Sequence, residues 1–178
     1  MKKILIIISI ASLLVFPKMG QSQDAQGYRL LFGDIESNLS EEDKKYIYSQ
    51  LEFTESKTAQ GLLYGGEVAA PRVEVVDLNN DKVDEIFVTY GTWLTCGHAG
   101  ACLSLFVKNS KGKYELIFDL PSIGYERLKT TNKGYPDLIL AGPGFCHAVL
   151  RWNGMKYLHF KNLPDIEGGC DAIKKTTN

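Results

Sequence analysis

Apolar and polar positions change their period along this chain. Ile4 to Phe16 is an almost unbroken apolar run behind Lys2 and Lys3. Further on, Ser40-Glu41-Glu42-Asp43 places a capping hydroxyl ahead of three acids, and Ile47, Tyr48 and Leu51 follow at helical spacing, which predicts a helix over 41–53. Acids at that end suit the positive pole of the helix dipole, a stabilising role rather than a catalytic one. Residues 23–39 read as a polar lead-in, and 54–71, with Gly61, Gly65 and Gly66, hold no sustained period beyond a short strand at 60–64. From Val73 the chain changes to short runs rich in Val, Ile, Phe, Tyr and Leu between Gly, Asn and Pro signals, the pattern of antiparallel hairpins. Strands are predicted at 72–76, 85–91, 102–108, 113–119, 124–129, 137–141, 147–152 and 156–160. Asn109-Ser110-Lys111-Gly112 and Asn153-Gly154 are the strongest turn signals.

The β-rich part repeats itself. Asp77-Leu-Asn-Asn-Asp-Lys-Val-Asp-Glu85 leads through a strand to Cys102, a turn and Tyr114; Thr131-Asn-Lys-Gly-Tyr-Pro-Asp137 leads through a strand to Cys146, a turn and Tyr157. Glu85 thus matches Asp137, Cys102 matches Cys146, and Tyr114 matches Tyr157. The predicted fold is mainly β (α+β): an antiparallel meander of two propeller-blade-like repeats, 72–120 and 124–162, with one N-terminal helix. Two blades cannot close a ring, so the helix and any cross-links must cover what a full propeller buries between blades.

The apolar run at the start has the form of an export signal over 1–22, with Gly20-Gln21-Ser22 supplying small residues before a cut at Gln23, and 23–178 is then a single globular domain. About 13 apolar residues fall short of the roughly 20 that span a bilayer, so no membrane anchor is expected to remain. Removing Lys2, Lys3 and Lys18 from 20 basic residues leaves 17 against 21 acidic, a formal charge of -4, which argues against nucleic acid as a partner. An exported, periplasmic or secreted protein with four cysteines is expected to hold two disulfides. Of the three possible pairings, Cys96 with Cys102 across the flexible Gly97–Ala101 stretch, and Cys146 with Cys170, is the predicted one. A zinc site from Cys96, His98, Cys102 and Cys146 matches no common structural-zinc spacing.

Asp77, Asn79, Asp81 and Glu85 place oxygen-bearing side chains at alternate positions of one tight loop, with the Val83 carbonyl between them, as a hard cation such as calcium requires. Here the chain resembles the FG-GAP/VCBS repeats of β-propellers, whose calcium loop reads Asp-x-Asn/Asp-x-Asp-Gly-x-x-Asp/Glu before a strand. The resemblance implies calcium ligands at Asp77, Asn79, Asp81 and Glu85. Lys82 stands where that family has Gly, and the alternative is an ordinary turn whose Asp and Asn side chains bond their own backbone. A wider likeness over 40–160, carried by Gly142-Pro-Gly-Phe-Cys146 and Arg151-Trp-Asn-Gly154, is to small exported bacterial proteins with one or two such repeats; it implies fold and compartment and no catalytic residue.

Catalytic signals are weak. No Gly-x-Ser-x-Gly occurs, Ser104 lies in an alternating strand, and Asp84 and Glu85 point to opposite faces. His98 belongs to the cysteine loop, His147 and His159 to hairpin strands. Tyr90, Trp93, Phe145 and Trp152 border two Gly-rich loops, 91–101 and 142–145, where aromatic rings beside flexible backbone suit recognition; with His98 they are the candidate binding residues. Trp152 and Tyr157 equally suit the core of a thin β-domain. The expectation is an exported, non-catalytic binding domain, of inhibitor or immunity type, whose partner is an envelope or extracellular protein. The rivals are a small periplasmic hydrolase and a calcium-stabilised structural module.

Overall fold

A computed structural model describes residues 24–33, 35–58 and 61–171. The expected signal segment and its cut at Gln23 lie outside them. Helices α1 (Asp24–Phe32) and α2 (Glu41–Gln50) precede a small sheet of β1 (Phe53–Glu55), β2 (Leu62–Tyr64) and β3 (Glu67–Ala69). Two four-stranded antiparallel meanders follow. The first holds β4 (Arg72–Val76), β5 (Glu85–Tyr90), β6 (Cys102–Lys108) and β7 (Tyr114–Pro121); the second holds β8 (Gly124–Asn132), β9 (Tyr135–Ala141), β10 (Cys146–Trp152) and β11 (Tyr157–Pro164). A one-turn helix, α3 (Trp93–Cys96), lies in the β5–β6 loop. The fold is mainly β with both predicted meanders present.

The first meander is buried on both faces because its strands alternate between two cores. Ile86, Val88, Tyr90, Phe106 and Tyr114 face α1, α2 and the small sheet. Phe87, Leu103, Leu105, Val107 and Phe118 face Leu138, Leu150, Trp152 and Tyr157 of the second meander. Phe87 stacks on Tyr125 at 3.8 Å across that seam. The layers therefore run helices and small sheet, first meander, second meander.

Two N-terminal helices stand where one was expected. Tyr28, Leu31 and Phe32 sit on the buried stripe of α1, a spacing hidden in a stretch read as polar. Gly27 allows the helix its place, since a Cβ there would meet the Tyr48 hydroxyl of α2 at 2.1 Å. The expected helix 41–53 stops at Gln50: Leu51 is extended, and Phe53 already opens β1. Ser40 does cap it, accepting the Asp43 N–H at 3.1 Å.

The repeat extends to individual hydrogen bonds. Tyr114 Oη donates to the Asp84 carbonyl at 2.9 Å, and Tyr157 Oη donates to the Pro136 carbonyl at 2.8 Å. Each acceptor precedes a fully buried acid, Glu85 or Asp137. In each meander the tyrosine faces the preceding layer and the acid the opposite face.

Candidate binding edge and the buried acids

The β5–β6 and β9–β10 loops leave the same end of the two meanders, and Ser122, in the β7–β8 link, ties them together. Its N–H donates to the Ala101 carbonyl at 2.9 Å, and its buried hydroxyl lies 2.6 Å from the carbonyls of Ala141 and Gly124. Both loops are cross-linked. Cys96 bonds Cys102 and Cys146 bonds Cys170, which consumes every cysteine and overturns the zinc reading. By the chain-entropy argument these closures contribute about 2.4 and about 3.5 kcal/mol. In the first loop, Thr92 and Thr95 form a reciprocal cap on α3. Gly91 is required there: its φ is 81°, and a Cβ would meet Cys96 Sγ at 2.5 Å. In the second, the Asp165 N–H donates to the Phe145 carbonyl at 2.9 Å, binding the tail after β11 to the loop.

Large apolar side chains stand out from this braced end. Trp93 is 70% exposed, Leu94 58%, Phe145 57%, Ile166 53% and Ile123 51%. Residues 91–101, 121–123 and 141–146 carry no Asp, Glu, Lys or Arg. Of the predicted binding residues, Trp93, His98 and Phe145 lie exposed on these loops. Tyr90 and Trp152 do not: both are buried, Tyr90 against the rings of Phe53 and Tyr64, Trp152 against Tyr135 and Tyr157. Their apolar rings complete the two cores, so the edge lacks them. Leu94, Ile123 and Ile166 were missed because single apolar residues in Gly-rich loops make no periodic signal.

The acidic turn uses its oxygens on its own backbone. Asp77 accepts the N–H groups of Asp81 at 3.1 Å and Lys82 at 2.9 Å, Asp81 accepts that of Val83 at 2.8 Å, and Asn79 accepts that of Asp81 at 3.0 Å. Asn80 and Lys82 take left-handed φ of 62° and 69° to allow it. Glu85 is engaged elsewhere, accepting the Leu78 N–H at 2.7 Å and the Tyr135 hydroxyl of the second meander at 2.9 Å. Burial pushes its carboxyl up to about 7 against those two donors.

Asp137, the matching acid, faces outward on the last layer, where no further sheet follows among the described residues. Arg151 closes over it with bidentate bonds of 2.9 and 2.7 Å, and Thr130 donates at 2.6 Å. The Arg151 guanidinium, and then the Thr130 hydroxyl, hold the Asp137 carboxyl below the usual carboxylate range. Five residues after its cysteine, Arg151 occupies the position that Val107 occupies after Cys102. Val107 is packed between the meanders. Arg151 instead packs its guanidinium 3.4 Å from the centre of the Phe160 ring. The outer face of the second meander is thus finished by its own side chains, as the terminal unit of a repeat must be.

His147 pairs with Asp165 at 2.8 Å beside Glu126; among the described residues no hydroxyl or thiol is bonded to His147. Among them, too, no helix is long and apolar enough to cross a membrane, and no group of three His, Cys, Asp or Glu side chains gathers for a metal. No family model, no curated protein and no solved structure matches this chain.

Proposed function

We propose that the protein is an exported, non-catalytic binding domain that recognises an envelope or extracellular protein through its disulfide-braced loop end. The observation that carries this reading is the grouping of Trp93, Leu94, Ile123 and Phe145, all exposed, on uncharged loops that Ser122 and two disulfides hold in place, with exposed Ile166 beside them on the tail after β11 between Asp165 and Glu167. Apolar anchors on a rigid scaffold lose little conformational entropy on docking, and truncating one that reaches a partner's pocket typically costs about 2 kcal/mol or more. The two repeats support the scaffold role, since successive loops of a repeat emerge on one side. Likeness to FG-GAP/VCBS modules belongs to this reading as well. The test is capture from envelope extract with wild type, Trp93→Ala and Phe145→Ala. One stoichiometric partner, lost with either variant while both keep the wild-type melting midpoint, supports the reading. A partner held equally well by all three, or none, counts against it.

A further inference from the structure

The opposite end of the two meanders carries a groove that the loop-edge reading does not use. It has a volume of about 620 Å3 and lies between the acidic turn, the β6–β7 hairpin and the β10–β11 hairpin. That size is ordinary for a small-molecule site. Trp152 and Tyr135 lie at its base, and Asp81, Glu115, Lys108 and Lys156 line it, two acids against two bases. A charge-balanced lining selects for a neutral ligand, because either sign of net charge meets as much repulsion as attraction.

Its unspent hydrogen-bonding groups are of both kinds. Trp152 is 93% buried, yet its indole N–H donates to no protein group among the described residues, although buried indoles normally find an acceptor; it is not among the side-chain atoms sealed from solvent. Glu115 gives only Oε1 to the Asn109 amide, at 2.6 Å, leaving Oε2 unused. The Lys156 ammonium has no acidic partner among the described residues, whereas Lys108 pairs with Asp43 at 3.2 Å. A neutral ligand offering hydroxyls, each a donor and an acceptor, over an apolar ring skeleton answers this set.

An extended peptide answers it less well. The free edge of β7 lines the groove, but the register with β6 slips there so that Ile117 is left over as a bulge. A bulge interrupts the row of main-chain groups on which an added strand depends.

We propose that this groove binds a short neutral oligosaccharide, with the Trp152 indole N–H as donor and Glu115 and Lys156 as its principal side-chain contacts.

The test uses the full mature chain with Trp93→Phe, which makes Trp152 its sole tryptophan. Its emission is titrated with chitotriose, cellotriose and maltotriose, and with N-acetyl-trialanine amide as the peptide comparison. The expected result is a saturable change with at least one trisaccharide. Glu115→Ala and Lys156→Ala each raise the apparent Kd about tenfold, the loss of one hydrogen bond to a charged group, at an unchanged melting midpoint. Lys156→Ala decides the matter should Glu115→Ala disturb the hairpin that Glu115 braces through Asn109. Absence of saturation with all three sugars, saturation with the peptide alone, or Kd values unmoved by Lys156→Ala would overturn the proposal.

Discussion

Glu85 makes stability fall as pH rises through the weakly acidic range, opposite to what a salt-bridged carboxylate does. Its side chain is 1% exposed and joins the two meanders through Tyr135. The ordinary value of 4.5 is raised to about 7, by burial first, with the Asp81 and Asp77 charges adding to it. Below 4.5 the group is protonated both folded and unfolded, and its full contribution is present. Between 4.5 and 7 the folded state alone holds the proton, so unfolding releases it and stability is lost as pH climbs; above 7 the loss is complete. A rise of that size corresponds to about 3 kcal/mol. The phenols that Glu85 influences, Tyr114, Tyr125, Tyr135 and Tyr157, are all raised further above their ordinary value by burial, and so stay neutral throughout. Urea melts from pH 4.5 to 8, with EDTA present so that no cation competes, measure the slope. Glu85→Gln keeps the shape but cannot titrate, and its amide accepts well from only one of the two donors. It starts about 1 to 3 kcal/mol below wild type at pH 4.5, and the gap closes as pH rises. A gap between wild type and Glu85→Gln that stays constant or widens from pH 5 to 7 would refute the reasoning.

Further outcomes follow from the same contacts. Asp137→Ala strips the partner from Arg151 and Thr130 and lowers stability by about 2 to 4 kcal/mol in chemical melts; Thr130→Val, which removes a single bond, costs nearer 1 kcal/mol. Because Asp137 is held below its ordinary 3.8, its contribution is present above that value and disappears as pH falls beneath it, a loss that acid melts of Asp137→Asn should not show. Asp77→Ala frees the N–H groups of Asp81 and Lys82 and costs about 1 to 2 kcal/mol in EDTA, checked by thermal melts. Intact-mass analysis after alkylation without reduction should find no modified thiol, and the Cys146→Ser, Cys170→Ser double variant should lose about 3.5 kcal/mol.

The repeat was legible because it is local. Cys102 and Cys146, Tyr114 and Tyr157, and the two hairpin turns recur in order, and each strand carries its own apolar alternation. What the strands pack against is not local. Val107 and Arg151 hold equivalent positions, but Val107 packs between the two meanders, whereas Arg151 lies on the outer face of the second, beyond which the described residues place no further layer, and closes over Asp137. Glu85 offers the same lesson: in sequence it completes a row of oxygens, while in the fold it reaches across the seam to Tyr135, fifty residues later. Helix α1 was hidden because Gly27 breaks its pattern, and Gly27 is there for a close approach to Tyr48 that only the tertiary structure reveals. The loop edge was half legible. The Gly-rich loops marked the place, whereas the division of their aromatics between core and surface depended on strand ends that composition does not locate.

The most direct test of the binding edge sets its residues against an equally exposed apolar residue at the other end of the molecule. Met155, 76% exposed on the β10–β11 hairpin, supplies that control. Kd for the captured partner is measured with Trp93→Ala, Phe145→Ala and Met155→Ala, each first shown to keep the wild-type melting midpoint. Recognition through the braced loops predicts roughly thirtyfold weaker binding for the first two, the equivalent of 2 kcal/mol, and no change for the third. Loss of binding in Met155→Ala with Trp93→Ala and Phe145→Ala unaffected would contradict it.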